Sequence, residues 1–111
     1  DDEEAGTMAA MSIFSLGGDG GGLGFHTHGE TYLSVFHGHK LWLVAPPSTH
    51  LPAPLLERAH AYGYRLVEIA EASDTGKDLL WCVQPPGSAV YLPQGWWHAT
   101  INLGDAVGMA L

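Results

Sequence analysis

The sequence predicts an all-β domain, mostly antiparallel, in the form of a barrel or a sandwich. Short apolar runs recur along its 111 residues, and segments that draw on 15 glycines and 7 prolines separate them. One stretch departs from this pattern, because Leu55, Ala59 and Tyr62 recur at the spacing of a helix. We therefore expect one short helix, at residues 53–62, inserted into a β domain.

The predicted strands follow the apolar runs in order along the chain. The first covers residues 11–16, and the glycine-rich run at residues 17–22 closes it. Further strands are predicted at residues 23–28, 32–36, 40–44, 79–83, 89–92, 98–103 and 106–111, with an edge strand at 64–69 and a polar loop at 72–78.

Length and composition bound the organisation of the chain. A chain of 111 residues forms one small domain at most. Residues 1–9 begin with Asp-Asp-Glu-Glu and are predicted to be an acidic, flexible head, which leaves residues 10–111 as the β-barrel domain. At 46% apolar residues, the chain is too hydrophobic for a disordered protein.

Charge and hydropathy exclude two classes of partner. The formal net charge is −8, and a chain with this balance is poorly suited to neutralising phosphates, so no nucleic-acid binding is expected. No run approaches the roughly 18 apolar residues of a membrane span, so no membrane is expected either. The single cysteine, Cys82, lies in an apolar run and is expected to be a buried thiol.

Two histidines separated by one residue form the first candidate site. If residues 23–28 are a strand, His26 and His28 point to the same face, because side chains two positions apart in a strand do so. Two imidazoles on one face can chelate a divalent transition metal. The alternative is a pair of exposed polar residues on a strand edge.

A second motif lies in the C-terminal part of the chain. Residues 85–102 fit the second cupin motif, G-x5-P-x-G-x2-H-x3-N, at Gly87, Pro93, Gly95, His98 and Asn102. The glycines and the proline permit tight turns, so the chain is expected to return antiparallel and to aim His98 into the mouth of a barrel. The alternative is an aromatic hairpin that matches the motif by coincidence.

Both regions resemble the halves of a JmjC domain. Residues 24–47, which include Gly-His-Lys-Leu-Trp at 38–42 and Pro-Pro at 46–47, resemble its first half, and residues 84–103 resemble its second half. The resemblance implies a double-stranded β-helix of the cupin or jelly-roll type, in the pattern of the short members that have little beyond the JmjC domain. Since a full barrel of this kind takes eight strands and supporting helices, we expect a fragment with exposed apolar sheet edges.

The resemblance also implies cofactors and site residues. JmjC proteins are Fe(II)- and 2-oxoglutarate-dependent oxygenases, which hydroxylate proteins or demethylate lysines. By position, His26 matches the first metal-binding histidine and His98 the distal one, with His28 as the candidate third ligand. Lys40 matches the lysine that pairs with the far carboxylate of 2-oxoglutarate, and Asn102 is assigned with it as a cofactor-binding residue. The alternative for Lys40 is a strand residue whose amine lies in water.

The sequence departs from the family pattern close to the metal. His28 stands where the family has a carboxylate, so the site lacks one negative charge. This change is expected to weaken Fe(II) binding and to favour another divalent ion such as Zn or Ni. Leu23 stands where several members carry a hydroxyl residue that binds the cosubstrate. Glu30 is a candidate replacement for the missing carboxylate.

Two functions from different classes follow from these residues. The first is a 2-oxoglutarate-dependent oxygenase of the hydroxylase type, acting on a protein or a small substrate and weakened by His28. The second is a non-catalytic JmjC-like module that serves as a structural or protein-interaction domain. A weaker third is a metal-dependent cupin enzyme that uses no 2-oxoglutarate. A protein partner or substrate is expected, with association through the exposed sheet edges.

Overall fold

The computed structural model describes residues 13–56, 63–72 and 78–110. In chain order the elements are β1 (Ile13–Gly17), β2 (Gly22–His26), β3 (Thr31–Ala45), α1 (Ala53–Leu56), α2 (Tyr64–Ala72), β4 (Leu80–Gln84), β5 (Ala89–Leu92) and β6 (Trp97–Ala110). The predicted acidic head at residues 1–9 lies outside the described residues, as do residues 57–62 of the predicted helix and residues 73–77 of the predicted loop.

Two long strands, β3 and β6, organise the sheet. Each combines two predicted strands. Those at 32–36 and 40–44 both fall in β3, and those at 98–103 and 106–111 both fall in β6, except that residue 111 lies outside the described residues. The two pair antiparallel from Leu33 opposite Ala110 to Ala45 opposite Trp97. Their register shifts twice between Val35 and His39, and irregularities of this kind bend a strand and increase its twist.

Two glycines let β3 and β6 pass through this bend side by side. Gly38 on β3 and Gly104 on β6 both have a φ of 77°, which is the left-handed region that favours glycine. A Cβ on Gly38 would overlap the carbonyl oxygen of Asp105, whereas a Cβ on Gly104 would meet nothing within 4 Å. The two backbones therefore approach each other at Gly38 too closely for any side chain.

The bend divides the sheet into two halves. In the first half, β1 pairs with the C-terminal end of β6, and β5 pairs with the N-terminal end of β3. In the second half, β2 pairs with the N-terminal end of β6, and β4 pairs with the C-terminal part of β3. Each half contains four strand segments, which is the arrangement of a jelly roll or double-stranded β-helix. The predicted fold class is confirmed.

The hydrophobic core lies between the second half of the sheet and the helices. Four residues of the long strands pack against residues of β2, the helices and the connecting segments. The four strand residues are Leu43, Ala45, Ala99 and Ile101, and the others are Phe25, Leu51, Leu55, Leu66, Ala70 and Leu79. Because neighbours along a strand point to opposite faces, the residues between them, such as Trp42 and Thr100, point away from this core. One strand pair thus supplies both the core and the wall of a cavity.

The predicted edge strand at residues 64–69 is wrong, because Tyr64–Ala72 forms helix α2. Its buried residues, Leu66 and Ala70, are four positions apart and therefore share the helix face that meets the core. For a short apolar run, contact with a core outweighs the intrinsic preference for a strand. Neither α1 nor α2, the helices of the described residues, is long and apolar enough to cross a bilayer.

Strand β4 is an apolar strand with exposed side chains. It pairs with β3 alone among the described strands, and Leu80 and Val83 are 57% and 52% exposed. The predicted burial of Cys82 is wrong, since its side chain is exposed. The physical reason is that no element of the described residues covers this end of the sheet. β4 is therefore an apolar sheet edge of the kind expected from the sequence.

The close approach at Gly38 predicts unequal costs for two alanine substitutions. Gly104→Ala should lower the free energy of unfolding by about 1–2 kcal/mol, because a side chain at positive φ is strained. Gly38→Ala has the same φ and should cost about 1–3 kcal/mol more, because the Asp105 backbone must also move. Urea unfolding of both variants measures the difference, and equal losses would contradict the close approach.

Candidate metal and cosubstrate site

A cavity of about 730 Å³ is lined by residues from both halves of the sheet. Ser15 and Leu33 come from the first half, and Trp42 and Thr100 come from the second. The same cavity contains every residue that the sequence assigned to a metal or a cofactor, namely His26, His28, Lys40, His98 and Asn102. Residues far apart in the chain are therefore brought to one place by the pairing of β2, β3 and β6.

His26 and His98 face each other directly across β2 and β6. They are partners in the strand register, and their ring centroids are 4.1 Å apart. One extra residue of β2 is accommodated between Leu23 and His26, whose partners on β6, Thr100 and His98, are only two positions apart. This irregularity leaves Phe25 in the core while Leu23 and His26 both line the cavity.

His28 reaches the cavity from a loop. The strand predicted through residue 28 ends at His26, so strand alternation does not account for the direction of the His28 ring. Its backbone is held by the Gly95 N–H, which donates to the His28 carbonyl at 3.0 Å. The ring centroid of His28 then lies 4.7 Å from that of His98 and 5.3 Å from that of His26.

Backbone carbonyls fix the tautomer of all three rings. Nδ1 of His26 lies 2.8 Å from the Gly24 oxygen, Nδ1 of His28 lies 2.7 Å from the Gly29 oxygen, and Nδ1 of His98 lies 3.0 Å from the Trp96 oxygen. A carbonyl oxygen only accepts, so each Nδ1 carries the proton and donates. In a neutral ring the lone pair then stands on Nε2, which is how proteins orient histidines that bind metals.

The distance between two of these nitrogens fits a shared ion. Nε2 of His28 and Nε2 of His98 are 3.1 Å apart, and candidate ligand atoms of all three histidines lie within 4.8 Å of one another. Two lone pairs that face each other repel unless a cation lies between them. Neighbouring nitrogens around one ion, each about 2.0–2.1 Å from it, stand roughly 3.0–3.4 Å apart. The donor set therefore fits a divalent transition metal.

Burial keeps His98 in the form that binds metal. Its side chain is 4% exposed, and desolvation lowers its pKa from 6.5 to about 4. The Trp96 carbonyl opposes this shift by accepting from the ring, while the neighbouring His26 and His28 add to it. At neutral pH the His98 ring is uncharged, which is the state that a metal requires.

Lys40 is a buried cation in the same cavity. It is 3% exposed, and its ammonium donates to the Ser15 hydroxyl at 3.0 Å. No carboxylate of the described residues pairs with it, and desolvation lowers its pKa. A buried ammonium with one neutral acceptor is a strong anchor for an anion. Ser15 was not assigned from the sequence, although it is the hydroxyl residue within the apolar run Ile13–Gly17.

Asn102 is the register partner of Lys40 and holds the glycine-rich turn against β6. Its Nδ2 donates to the Gly18 oxygen at 3.2 Å, its backbone N–H donates to the Gly21 oxygen at 2.7 Å, and its carbonyl accepts from the Gly20 N–H at 2.8 Å. Its Oδ1 is buried without a hydrogen-bond partner. Asn102 thus positions the cavity wall beside Lys40, and contact with a cofactor stays a prediction.

Glu30 does not join the three rings. Its carboxylate accepts a hydrogen bond from the Tyr91 hydroxyl at 2.8 Å, and this hydrogen bond is exposed at the protein surface. The metal-ligating cluster found among residues 13–56, 63–72 and 78–110 consists of His26, His28 and His98. In the structure the three rings come together without Glu30.

A buried hydrogen-bond network supports the cavity floor. Trp42 lies with its ring centroid 6.1 Å from that of His98, and its indole N–H donates to Oε1 of Gln84 at 2.8 Å. Gln84 in turn donates to the Leu33 and Ser88 oxygens at 2.9 and 3.2 Å. Through Gln84, this network connects the two halves of β3 and the turn between β4 and β5 to the Trp42 indole. Gln84 was not assigned from the sequence, although it directly follows the predicted strand at residues 79–83.

The chain is similar to JmjC proteins of two mammals over nearly all of its length. It is 35% identical to JmjC domain-containing protein 8 of Rattus norvegicus over 102 residues, which is 92% of this chain and 36% of that protein. It is 34% identical to JmjC domain-containing protein 8 of Homo sapiens over 108 residues, again 92% of this chain and 37% of the relative. The chain thus spans little more than a third of these relatives.

A plant relative extends the comparison. The chain is 33% identical to "Arginine-specific demethylase JMJ20" of Arabidopsis thaliana over 76 residues, which cover 65% of this chain and 16% of that protein. No family model matches the chain.

The lowered pKa of His98 predicts a pH-dependent stability of the metal-free protein. Because the folded-state pKa of about 4 lies below the unfolded value of 6.5, the unfolded state binds more protons between these values. Stability should therefore fall by about 1–2 kcal/mol as the pH drops from 7 to 5. His98→Gln, which cannot titrate, should flatten this slope in urea unfolding at each pH. An unchanged slope would show that the pKa of His98 is the same in the folded and the unfolded state.

Proposed function

Because the chain belongs to the JmjC family of cupin-fold domains, we propose that it forms the metal and cosubstrate site of a 2-oxoglutarate-dependent oxygenase of the hydroxylase type. The observation that carries the proposal is one cavity with two anchors. Three histidines with fixed tautomers stand at one place, and the buried Lys40 stands at another. Such an oxygenase needs both anchors, one for an ion and one for a dicarboxylate.

The three histidines would hold the ion. His26, His28 and His98 each present one imidazole, and their carbonyl partners prevent the rings from turning away. The ion would be Fe(II), or another divalent transition metal such as Zn or Ni, since three neutral ligands cancel none of its charge. Bound Fe(II) supplies the redox chemistry with dioxygen that the family uses.

Lys40 and Ser15 would hold the far carboxylate of 2-oxoglutarate. The Lys40 side chain is 3% exposed, so an arriving carboxylate would meet a charge that water screens only weakly. The Ser15 hydroxyl now accepts from Lys40 and could turn its own proton to the carboxylate. Ser15 thereby offers the hydroxyl that Leu23 does not provide at the position where several family members carry one.

The surrounding residues would orient the two anchors and exclude water. Trp42 is 2% exposed and lies beside His98, so its indole closes the floor of the cavity. Asn102 keeps the glycine-rich turn in place next to Lys40. A closed apolar floor strengthens the attraction between Lys40 and an anion.

The second candidate is a non-catalytic JmjC-like module for structure or protein interaction. Two observations favour it. His28 stands where the family has a carboxylate, and the loss of this negative charge is expected to weaken the affinity for Fe(II). Strand β4 is exposed and apolar, with Leu80, Trp81 and Val83 all exposed, so a protein partner could pair with this edge of the sheet. This candidate requires no 2-oxoglutarate binding.

Removal of the Lys40 charge distinguishes the two candidates. With Fe(II) present, the unmodified chain should bind 2-oxoglutarate, and with dioxygen as the oxidant it should release succinate and CO2. Lys40→Ala should weaken 2-oxoglutarate binding at least tenfold, or about 1.4 kcal/mol. Arg65→Ala is the matched control, because Arg65 is an exposed cation on α2 outside the cavity. Calorimetry of 2-oxoglutarate binding and a succinate assay provide the measurements. If neither chain binds 2-oxoglutarate, the oxygenase proposal fails and the non-catalytic module remains.

A further inference from the structure

The cavity contains a cation and lacks an anion among the described residues. Among the described residues that line the cavity, Lys40 is the side chain with a formal charge. None of the described aspartates or glutamates lines the cavity. The chain as a whole carries a net charge of −8, so this absence is a local feature and does not follow from composition. Among the described residues, a ligand that enters the cavity finds the Lys40 ammonium, hydroxyls, imidazoles and apolar groups, but no carboxylate.

The two acidic residues nearest to the cavity in sequence are held away from it by tyrosines. Asp19 lies between two lining glycines of the turn, and its carboxylate accepts from the Tyr64 hydroxyl at 2.6 Å and from the Gly104 N–H at 2.8 Å. Glu30 lies between the lining residues His28 and Thr31, and it accepts from Tyr91. Both carboxylates are therefore engaged on the outer surface.

The mouth of the cavity is apolar on the side of β2. Leu23 lines the cavity while its side chain is 61% exposed, so it stands at the opening. It is the register partner of Thr100, and the strand irregularity puts it on the same side as His26. On this side of the cavity, Leu23 therefore stands between solvent and His26.

We propose that this mouth admits an uncharged, apolar side chain or small group and rejects guanidinium and ammonium groups, with Leu23 as the specificity-determining residue. The inference rests on the proposed function for the location of the reacting centre. It also separates this chain from the activity named for its plant relative, an arginine-specific demethylase.

The physical reason is the cost of burying a second cation. A guanidinium has five N–H donors and keeps its charge at any ordinary pH, so it needs a carboxylate or water around it. Inside the cavity it would lose water, meet no described carboxylate and face the Lys40 ammonium. A divalent ion on the three histidines would add to this repulsion. An apolar side chain carries no charge to desolvate, is not repelled by Lys40 and gains contact with Leu23.

The test compares probes of equal shape and different charge. Three capped peptides, acetyl-Ala-Ala-Xaa-Ala-Ala-amide with norleucine, citrulline or arginine at the centre, are titrated into the full chain. Backbone amide shifts in NMR report the dissociation constants and the residues affected. Citrulline matches arginine in shape but carries no charge, so this pair isolates electrostatics. We expect norleucine to bind, with shifts at Leu23 and His26, and arginine to bind at least tenfold more weakly than citrulline.

Substitution at the mouth provides the second arm. Leu23→Glu should reverse the order of citrulline and arginine, because it adds a carboxylate where a cation would enter. Leu23→Gln tests the loss of the apolar side chain without charge and should not reverse the order. Leu80→Glu is the matched surface control, since Leu80 is 57% exposed on a strand outside the cavity, and the order should stay as in the unmodified chain.

Three results would overturn the inference. They are arginine binding within threefold of citrulline, an equal effect of Leu23→Glu and Leu80→Glu, and no shift at the cavity with any peptide. None of these depends on 2-oxoglutarate. A chain that turns over 2-oxoglutarate but prefers arginine would refute the inference and leave the proposed function intact. A chain that rejects arginine but does not bind 2-oxoglutarate would support the inference and refute the proposed function.

Discussion

The antiparallel pairing of β3 with β6 is the constraint on which the site depends. In this register Lys40 is opposite Asn102, Trp42 is opposite Thr100, and Val44 is opposite His98. The Lys40 ammonium, the Trp42 indole and the His98 imidazole therefore follow one another along a single face of two paired strands. Strand β2 then adds His26 opposite His98. The bend at Gly38 brings the first half of the sheet round to supply Ser15 to the same cavity.

The same pairing connects the site to the stability of the fold. Leu43, Ala99 and Ile101 alternate with the cavity residues and are fully buried on the opposite face. A shift of register by one residue would exchange the two faces, which would place Lys40 or His98 against the helices. The burial of the core therefore selects the register that builds the site. Changes on the core face should thus disturb the cavity even where they touch none of its residues.

The fold class and the three histidines that the structure brings together were predictable from the sequence, because the spacing of apolar runs and motif residues is a local signal. Strand alternation, which was the reason given for pairing His28 with His26, does not apply, since β2 ends at His26. Prediction from the sequence failed where contacts distant in the chain decide the outcome. Residues 64–72 form a helix because Leu66 and Ala70 meet the core, and Cys82 is exposed because no described element covers β4. Ser15 became visible as a site residue only through Lys40, which lies 25 positions away.

We expect the three imidazoles with fixed tautomers to bind one ion through Nε2. Long-range proton–nitrogen NMR of the histidine side chains, recorded before and after addition of one equivalent of Zn²⁺, tests this expectation most directly. His26, His28 and His98 should begin as Nδ1–H tautomers. Nε2 of all three should shift together at one equivalent while Nδ1 keeps its proton. A shift of fewer than three rings, or coordination through Nδ1, would show that the three histidines do not form one site.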